Sequence, residues 1–297
     1  MFDFINFYLI PGIVLGSVYA LGAIGISMLF GILRFAHFAH GDVMTLGAYF
    51  ALSGVLVLGW PVMLVLPLAM AVTAVVAVGV DRFFYRPLRA SPTIVVVIAS
   101  FGIALMVRSA IQFFWGVEIQ SYTSGGIRKP LILFDTLRIA ERHIYIVGAA
   151  VGLMLAVHWF LSRTRPGKAM RAMSDDPDLA KVSGINTEHM VVWAWILGAG
   201  LAAAAGVFLG LDTQLTTTMG WNLLLPMFAA AILGGIGRPY GAMAGGMVIG
   251  LAEELSTFPW ISAAPLLSPG YKTGVAFAIM VVMLLWRPHG LFRGRVF

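Results

Sequence analysis

The stretch FYLIPGIVLGSVYALGAIGISMLFGIL, from Phe7 to Leu33, contains no Asp, Glu, Lys or Arg. As an α-helix rising about 1.5 Å per residue, it is long enough to cross the roughly 30 Å hydrocarbon core of a bilayer. The whole chain follows its lead. Of 297 residues, 60% are hydrophobic and 11% are charged, with a mean hydropathy of +0.93. A soluble globular protein is about 25% charged, so there is too little polar surface here to clothe a water-soluble particle. The start, Met1-Phe2-Asp3-Phe4-Ile5-Asn6, lacks the basic region of a signal peptide and no A-x-A-like site follows, so the first apolar run is read as a retained span.

Apolar runs recur at 7–33, 43–59, 61–81, 93–115, 143–162, 190–212, 222–237, 241–258 and 271–287. They predict an all-α, polytopic membrane bundle of eight or nine segments in a single domain over 1–297, with an outer loop at 116–142. The runs 43–59, 222–237 and 241–258 are short enough to be half-helices or tilted segments. Small residues at four-residue spacing (Gly12, Gly16 and Ala20; Gly198, Ala202, Gly206 and Gly210; Ala242, Gly246 and Gly250) predict helix faces that pack closely.

With the N-terminus outside, the inner segments hold Arg34, Arg82, Arg86, Arg89, Arg163, Arg165, Lys168, Arg171, Lys181, Arg238, Arg287, Arg293 and Arg295, which is 13 of the 19 cations. Arg and Lys accumulate on cytoplasmic loops, so the N-terminus is expected outside and the C-terminus in the cytoplasm. The four cations Arg128, Lys129, Arg138 and Arg142 of the outer loop run against this balance. The same rule accounts for the net charge of +6 without nucleic acid as a partner.

Two breaks interrupt the apolar pattern. Gly31-Ile32-Leu33-Arg34-Phe35-Ala36-His37-Phe38-Ala39-His40-Gly41-Asp42 joins two spans without a real loop, and Asp42 is placed to N-cap the second. Ile232-Leu233-Gly234-Gly235-Ile236-Gly237-Arg238-Pro239-Tyr240-Gly241 does the same later, with glycines and Pro239 that a regular helix does not tolerate. Broken helices line the binding sites of many transporters. Two tight cytoplasmic turns are the alternative, and the pattern leaves both open. Phe38, His40, Gly41, Asp42, Gly234, Gly235, Gly237 and Gly241 are therefore candidate pathway residues. Glu253 joins them as an acid inside a span; with Glu254 it either lines a pathway or sits as a helix-end charge near the outer interface. Arg108, late in its span, is expected to snorkel outward past Trp115.

The segment 163–189 is polar and lies on the basic side. Residues after Gly167 are good helix formers; Asp175, Asp176 and Pro177 read as the cap and first turn of a second short helix, with Gly184 ending it. Leu179, Ala180 and Val182 give that helix an apolar side outside the membrane, which calls for a peripheral protein partner.

Familiar catalytic chemistry is missing. The absence of Cys excludes disulfides and thiol or thiolate-metal chemistry, and His37 and His40 stand without a carboxylate-and-histidine cluster, so no metal or other cofactor is expected. Gly167-Lys168 fails as a P-loop, since Ser162 holds the first glycine position and Ala169 the hydroxyl position. H-E-x-x-H and G-x-S-x-G are also absent, so the chain is not expected to be an enzyme. A free-standing secondary transporter or channel would need an ion-coupling cluster in the membrane, for which only Glu253 and Glu254 offer themselves.

From about residue 10 to about 293 the chain resembles the shorter of the two paired permeases of branched-chain amino-acid ABC importers. The resemblance rests on Gly16-Ser17-Val18-Tyr19-Ala20-Leu21, Phe38-Ala39-His40-Gly41-Asp42, Leu46-Gly47-Ala48-Tyr49 and Tyr85-Arg86-Pro87-Leu88-Arg89. It continues through Gly167-Lys168-Ala169-Met170-Arg171-Ala172, Gly184-Ile185-Asn186, Leu233-Gly234-Gly235-Ile236-Gly237 and Arg287-Pro288-x-Gly290. It implies a bacterial inner-membrane permease that pairs with a second permease, identical or paralogous, two cytoplasmic ATPase subunits and an external substrate-binding protein. It further implies alternating access for a branched-chain or hydrophobic amino acid, with urea, short amides or aromatic acids as the alternative cargo. Coupling to the ATPase would fall to Arg171, Ala172, Asp175, Asp176, Ala180, Gly184, Ile185 and Asn186. Relatives usually carry Asn where this chain has Ala36 or His37, and often Ser where Arg238 stands.

Overall fold

A computed structural model describes residues 4–122, 131–133, 137–260, 267–292 and 294. The parts of the expected outer loop at 123–130 and 134–136, and Arg293 and Arg295 of the C-terminal cation group, lie outside the described residues.

Each of the nine apolar runs forms one helix. They are α1 (Ile10–Leu33), α2 (His40–Leu58), α3 (Val62–Val80), α4 (Thr93–Trp115), α5 (Glu141–Arg163), α8 (Thr187–Asp212), α9 (Met219–Gly234), α10 (Pro239–Leu255) and α11 (Thr273–Trp286). Between α5 and α8 lie the short α6 (Arg165–Asp175) and α7 (Pro177–Val182). Helix continues before α1 from Ile5 and beyond α3 to Leu88. Seven of the helical stretches among the described residues are long and apolar enough to span a bilayer; α9 and α10, at 16 and 17 residues, are shorter. One element was not expected: within 116–142, β1 (Leu131–Leu133) pairs antiparallel with β2 (Leu137–Ile139).

The bundle is built around α1, which packs against α5, α8, α9 and α10. Two of the expected small-residue stripes meet each other there. A Cβ on Gly250 would collide with the Gly16 backbone, and one on Gly246 with the backbone of Ala20. Lipid offers no hydrophobic force between helices, so close backbone approach and dispersion hold such a seam together. The third stripe, on α8, meets α2: Gly206 lies against the Met44 carbonyl. Helices α5 and α11, by contrast, expose most of their apolar surface.

Substitution should separate seam glycines from idle ones. Gly250→Leu is expected to cost about 3 kcal/mol or more by overpacking. Gly79→Ala, where an added Cβ meets open space, should gain about 0.5–1 kcal/mol. Loss of monodisperse protein with temperature in detergent checks both; equal behaviour would remove the seam from the account.

Candidate functional site

The first break is not a surface turn. Helix α1 ends when Arg34 takes a left-handed conformation (φ 58°), the one non-glycine with positive φ among the described residues. The chain then climbs back into the bundle. His40, at the start of α2, places its Nε2 3.1 Å from the Gly22 carbonyl oxygen, the geometry of a bond donated by the ring N–H. Gly22 lies 11 residues before Leu33, so α2 begins about 16 Å inside the end of α1. Residues 34–39 make that return through the left-handed Arg34 and a turn closed by the His40 N–H, which donates to the His37 carbonyl at 3.2 Å.

A second helix starts at the same place. A Cβ on Gly41 would strike the Gly220 carbonyl, and one on Gly220 would strike that of Gly41. Thr45 joins the two helix starts: its hydroxyl donates to the Gly41 carbonyl at 3.2 Å and accepts from the Gly220 N–H at 3.0 Å. Two helix N-termini, with their positive dipole ends, therefore meet well inside the bundle.

Asp42 lies in the first turn of α2 but caps nothing; the N-cap position belongs to Ala39. The carboxylate is fully buried and takes a two-pronged ion pair from Arg108 of α4, with Nε to Oδ1 at 2.9 Å and Nη2 to Oδ2 at 3.1 Å. The Arg108 guanidinium also lies 4.8 Å from the centre of the Trp221 ring on α9. This corrects two expectations. Asp42 is not the cap, because its side chain is drawn sideways to a charge. Arg108 does not snorkel, because a buried carboxylate across the helix pair is a stronger attraction than the distant interface. Below the pair, Phe38 stacks on Phe101 with ring centres 4.2 Å apart and meets Phe228 at 5.4 Å.

The side chain of Arg108 keeps 17% exposure. Ser109 and Asn222 on the same two helices are also exposed. A charge and neighbouring exposed polar groups within apolar spans belong against protein or water rather than lipid.

The other candidates lie elsewhere. Glu253 is buried in α10 and accepts from the Tyr19 hydroxyl of α1 at 2.7 Å; Glu254 pairs with Lys272 at 2.5 Å. Gly234, Gly235, Gly237 and Gly241 form the second break, which is a tight turn at the end of the bundle where α1 stops. There the N–H groups of Leu291 and Phe292 donate to the Leu233 and Gly234 carbonyls. So the first break turns back inside the bundle, and the second is a tight turn at its end. His37 and His40 stand 6.0 Å apart edge to face, and no group of three or more His, Cys, Asp or Glu suited to a metal occurs among the described residues.

The loop between α5 and α8 follows its sequence closely. Asp176 N-caps α7, accepting from Asp178 and Leu179 N–H at 3.1 and 3.0 Å, and Gly184 turns with φ 82°. Asn186 N-caps α8 through His189 N–H at 3.2 Å, and Ile185 N–H returns to the Ala180 carbonyl. Ala180 faces inward, while Leu179 and Val182 are 64% and 87% exposed. Arg171, Ala172 and Asp175 lie on α6 beside the end of α1, where Gly31 packs near Ser174 and Gly237.

Missed in sequence were Arg108, Trp221, Gly220 and Thr45. Only the intramembrane charge of Arg108 gave a signal. The network on the Tyr85-Arg86-Pro87-Leu88-Arg89 motif also went unread. Arg89 binds both Asp81 oxygens at 2.8 and 2.6 Å and reaches Glu188 at 2.8 Å, while Tyr85 stacks on Trp195 with centres 5.2 Å apart.

Truncating one partner of the buried pair should be costly. Arg108→Ala leaves a naked carboxylate and is expected to destabilise by about 3–5 kcal/mol. Asp42→Asn with Arg108→Gln should recover most of that loss, since neither charge is then stranded. A double-mutant cycle on unfolding in detergent measures it, and additive effects would argue against a coupled pair.

The family described as "Branched-chain amino acid transport system / permease component" matches residues 8–284. The high-affinity branched-chain amino acid transport system permease protein BraD of Pseudomonas aeruginosa is 31% identical over 95% of this chain and 94% of its own. The protein LivH of Escherichia coli, named for the same system, is 32% identical over 94% and 92%. A probable LivH of Methanocaldococcus jannaschii is 28% identical over 94% and 90%. Among solved structures, PsaBC from Streptococcus pneumoniae in complex with Fab superposes with a TM-score of 0.54 over 97% of this chain and 95% of that one, at 13% identity.

Proposed function

The chain belongs to the branched-chain amino-acid transport permease family, and from this premise we propose that it is the membrane subunit of an ATP-driven importer of branched-chain or other hydrophobic amino acids. It is a multi-pass membrane protein. In the proposed assembly it pairs with a second permease, identical or paralogous, with two ATPase subunits on the side of the α6–α7 loop and a substrate-binding protein on the other. The membrane is a bacterial plasma membrane, with the N-terminus outside and the C-terminus in the cytoplasm.

The observation that carries this reading is the placement of α6 and α7. Leu179 and Val182 stand exposed on a helix outside the membrane, an apolar pair suited to a groove on a peripheral protein. The adjoining α6 touches the end of α1 and the Gly237 turn. A displacement of the loop by the ATPase therefore acts directly on the helix that leads into the first break. We assign the face bearing Arg108, Trp221, Phe101 and Asn222 to the passage between the two permeases. Its aromatic floor suits aliphatic side chains, and its polar edge avoids lipid.

Two experiments test this. Leu179→Asp with Val182→Asp should abolish co-purification of the ATPase subunits and uptake, while leaving the chain folded and in the membrane; normal uptake would overturn the coupling role. Because the chain has no cysteine, single Cys variants report sidedness. An impermeant thiol reagent should label Val182→Cys only from the cytoplasmic face and Val117→Cys only from outside, both sites being exposed. The opposite pattern would invert the topology.

A further inference from the structure

A cavity of about 420 Å³ opens at the loop-bearing end of the bundle, between α1, α5, α6 and the α9–α10 turn. Its mouth carries three exposed cations, Lys168, Arg171 and Arg238. The one acid beside them, Asp175, is 3.9 Å from Arg238, with both side chains more than half exposed. Such a contact neutralises little, so the mouth stays positive. The wall beneath is apolar, formed by Met28, Ile32 and Leu161. Deep in this wall lies Ser27, fully buried, with a hydroxyl that has no hydrogen-bond partner. A buried hydroxyl left unpaired is costly, so a ligand that brings an acceptor to it gains a hydrogen bond there. Ser27 is six residues before Leu33, about 9 Å inside the end of α1.

We propose that this cavity binds an anionic phospholipid. Its phosphate would sit among Lys168, Arg171 and Arg238, an ester oxygen would accept from Ser27, and an acyl chain would run along Met28 and Leu161. Cations at the mouth, an apolar wall beneath them and an acceptor-seeking hydroxyl deep in that wall match the charged head, acyl chain and ester oxygens of a phospholipid. A small soluble anion uses only the first. The cations and the wall come from α6 on one side and from α1 and the Arg238 turn on the other. The lipid therefore fastens the proposed coupling element to the bundle. The assignment of this end to the anionic cytoplasmic leaflet rests on the orientation proposed above; the cavity's chemistry does not.

The test uses the detergent-purified full chain and does not depend on transport or orientation. Native mass spectrometry and thermal unfolding are compared with palmitoyl-oleoyl phosphatidylglycerol, with phosphatidylcholine of the same chains, and with glycerol phosphate. Phosphatidylglycerol should be retained and should raise the unfolding temperature, while the other two should do neither. Each of Lys168→Gln, Arg171→Gln and Arg238→Gln should weaken retention roughly fivefold, and Arg82→Gln, a cation outside the cavity, should not. Ser27→Leu, which fills the depth with the cations intact, should also release the lipid. Unchanged retention in the triple Gln variant, equal retention of phosphatidylcholine, or equal stabilisation by glycerol phosphate would each overturn the proposal. Glycerol phosphate binding would reassign the site to a free phosphate.

Discussion

Two helices begin inside the bundle, one against the other. The first turn of a helix has N–H groups that its own backbone cannot satisfy, and in a bilayer each unpaired group costs several kcal/mol. In this protein α2 and α9 start against each other inside the bundle, so those groups must be answered by protein. The solution is local and small. Thr45 answers the N–H of Gly220, and Gly41 and Gly220 bring the two backbones into contact. The constraint spreads from there. A junction that must stay buried needs a wall, and α1 and α8 supply it. Those walls close only because glycines and alanines let them, as Gly206 does against Met44.

The ion pair follows from the same geometry. Positive helix ends favour an acid nearby, and Asp42 is placed in the first turn of α2. In an apolar bundle that carboxylate is tolerable only with a countercharge and good hydrogen bonds, and Arg108 supplies both through a planar two-pronged contact. Trp221 then covers the guanidinium face. The residual exposure of Arg108, next to Ser109 and Asn222, makes this the edge of the bundle least compatible with lipid. The proposed passage is thus located by an incompatibility, a charge and polar groups set between apolar helices.

What was legible in the sequence depended on range. The helices were legible because each is a continuous apolar run whose length is set by the bilayer. The cap at Asp176 and the turn at Gly184 were legible because each acts within three or four residues of itself. The small-residue stripes announced close faces but not which faces meet, since the pairing of Gly16 with Gly250 is decided by the whole packing. Arg108 and Asp42 are 66 residues apart, and no local rule joins them. Each alone had a sensible local reading, a snorkelling cation and an N-cap, and both failed because a long-range attraction was stronger. Arg34 shows the converse: a left-handed helix end is normally written with glycine, so this stop carried no usual mark.

The seam and the breaks bear on how motion would travel in the proposed importer. Gly16 on Gly250 and Ala20 on Gly246 lock α1 and α10 backbone to backbone, and such contacts have no slack for sliding. The pair therefore moves as one body. Each member adjoins a break at the same end of the bundle: α1 leads into residues 34–39, and α10 begins after Gly235–Arg238. Ser174 of α6 lies beside Gly31, and Gly31 beside Gly237, so one contact point addresses both hinges. A force on the loop does not need to be relayed through side chains to reach the junction of α2 and α9. In the proposed importer such a force would tilt the α1–α10 pair about the two breaks that adjoin it.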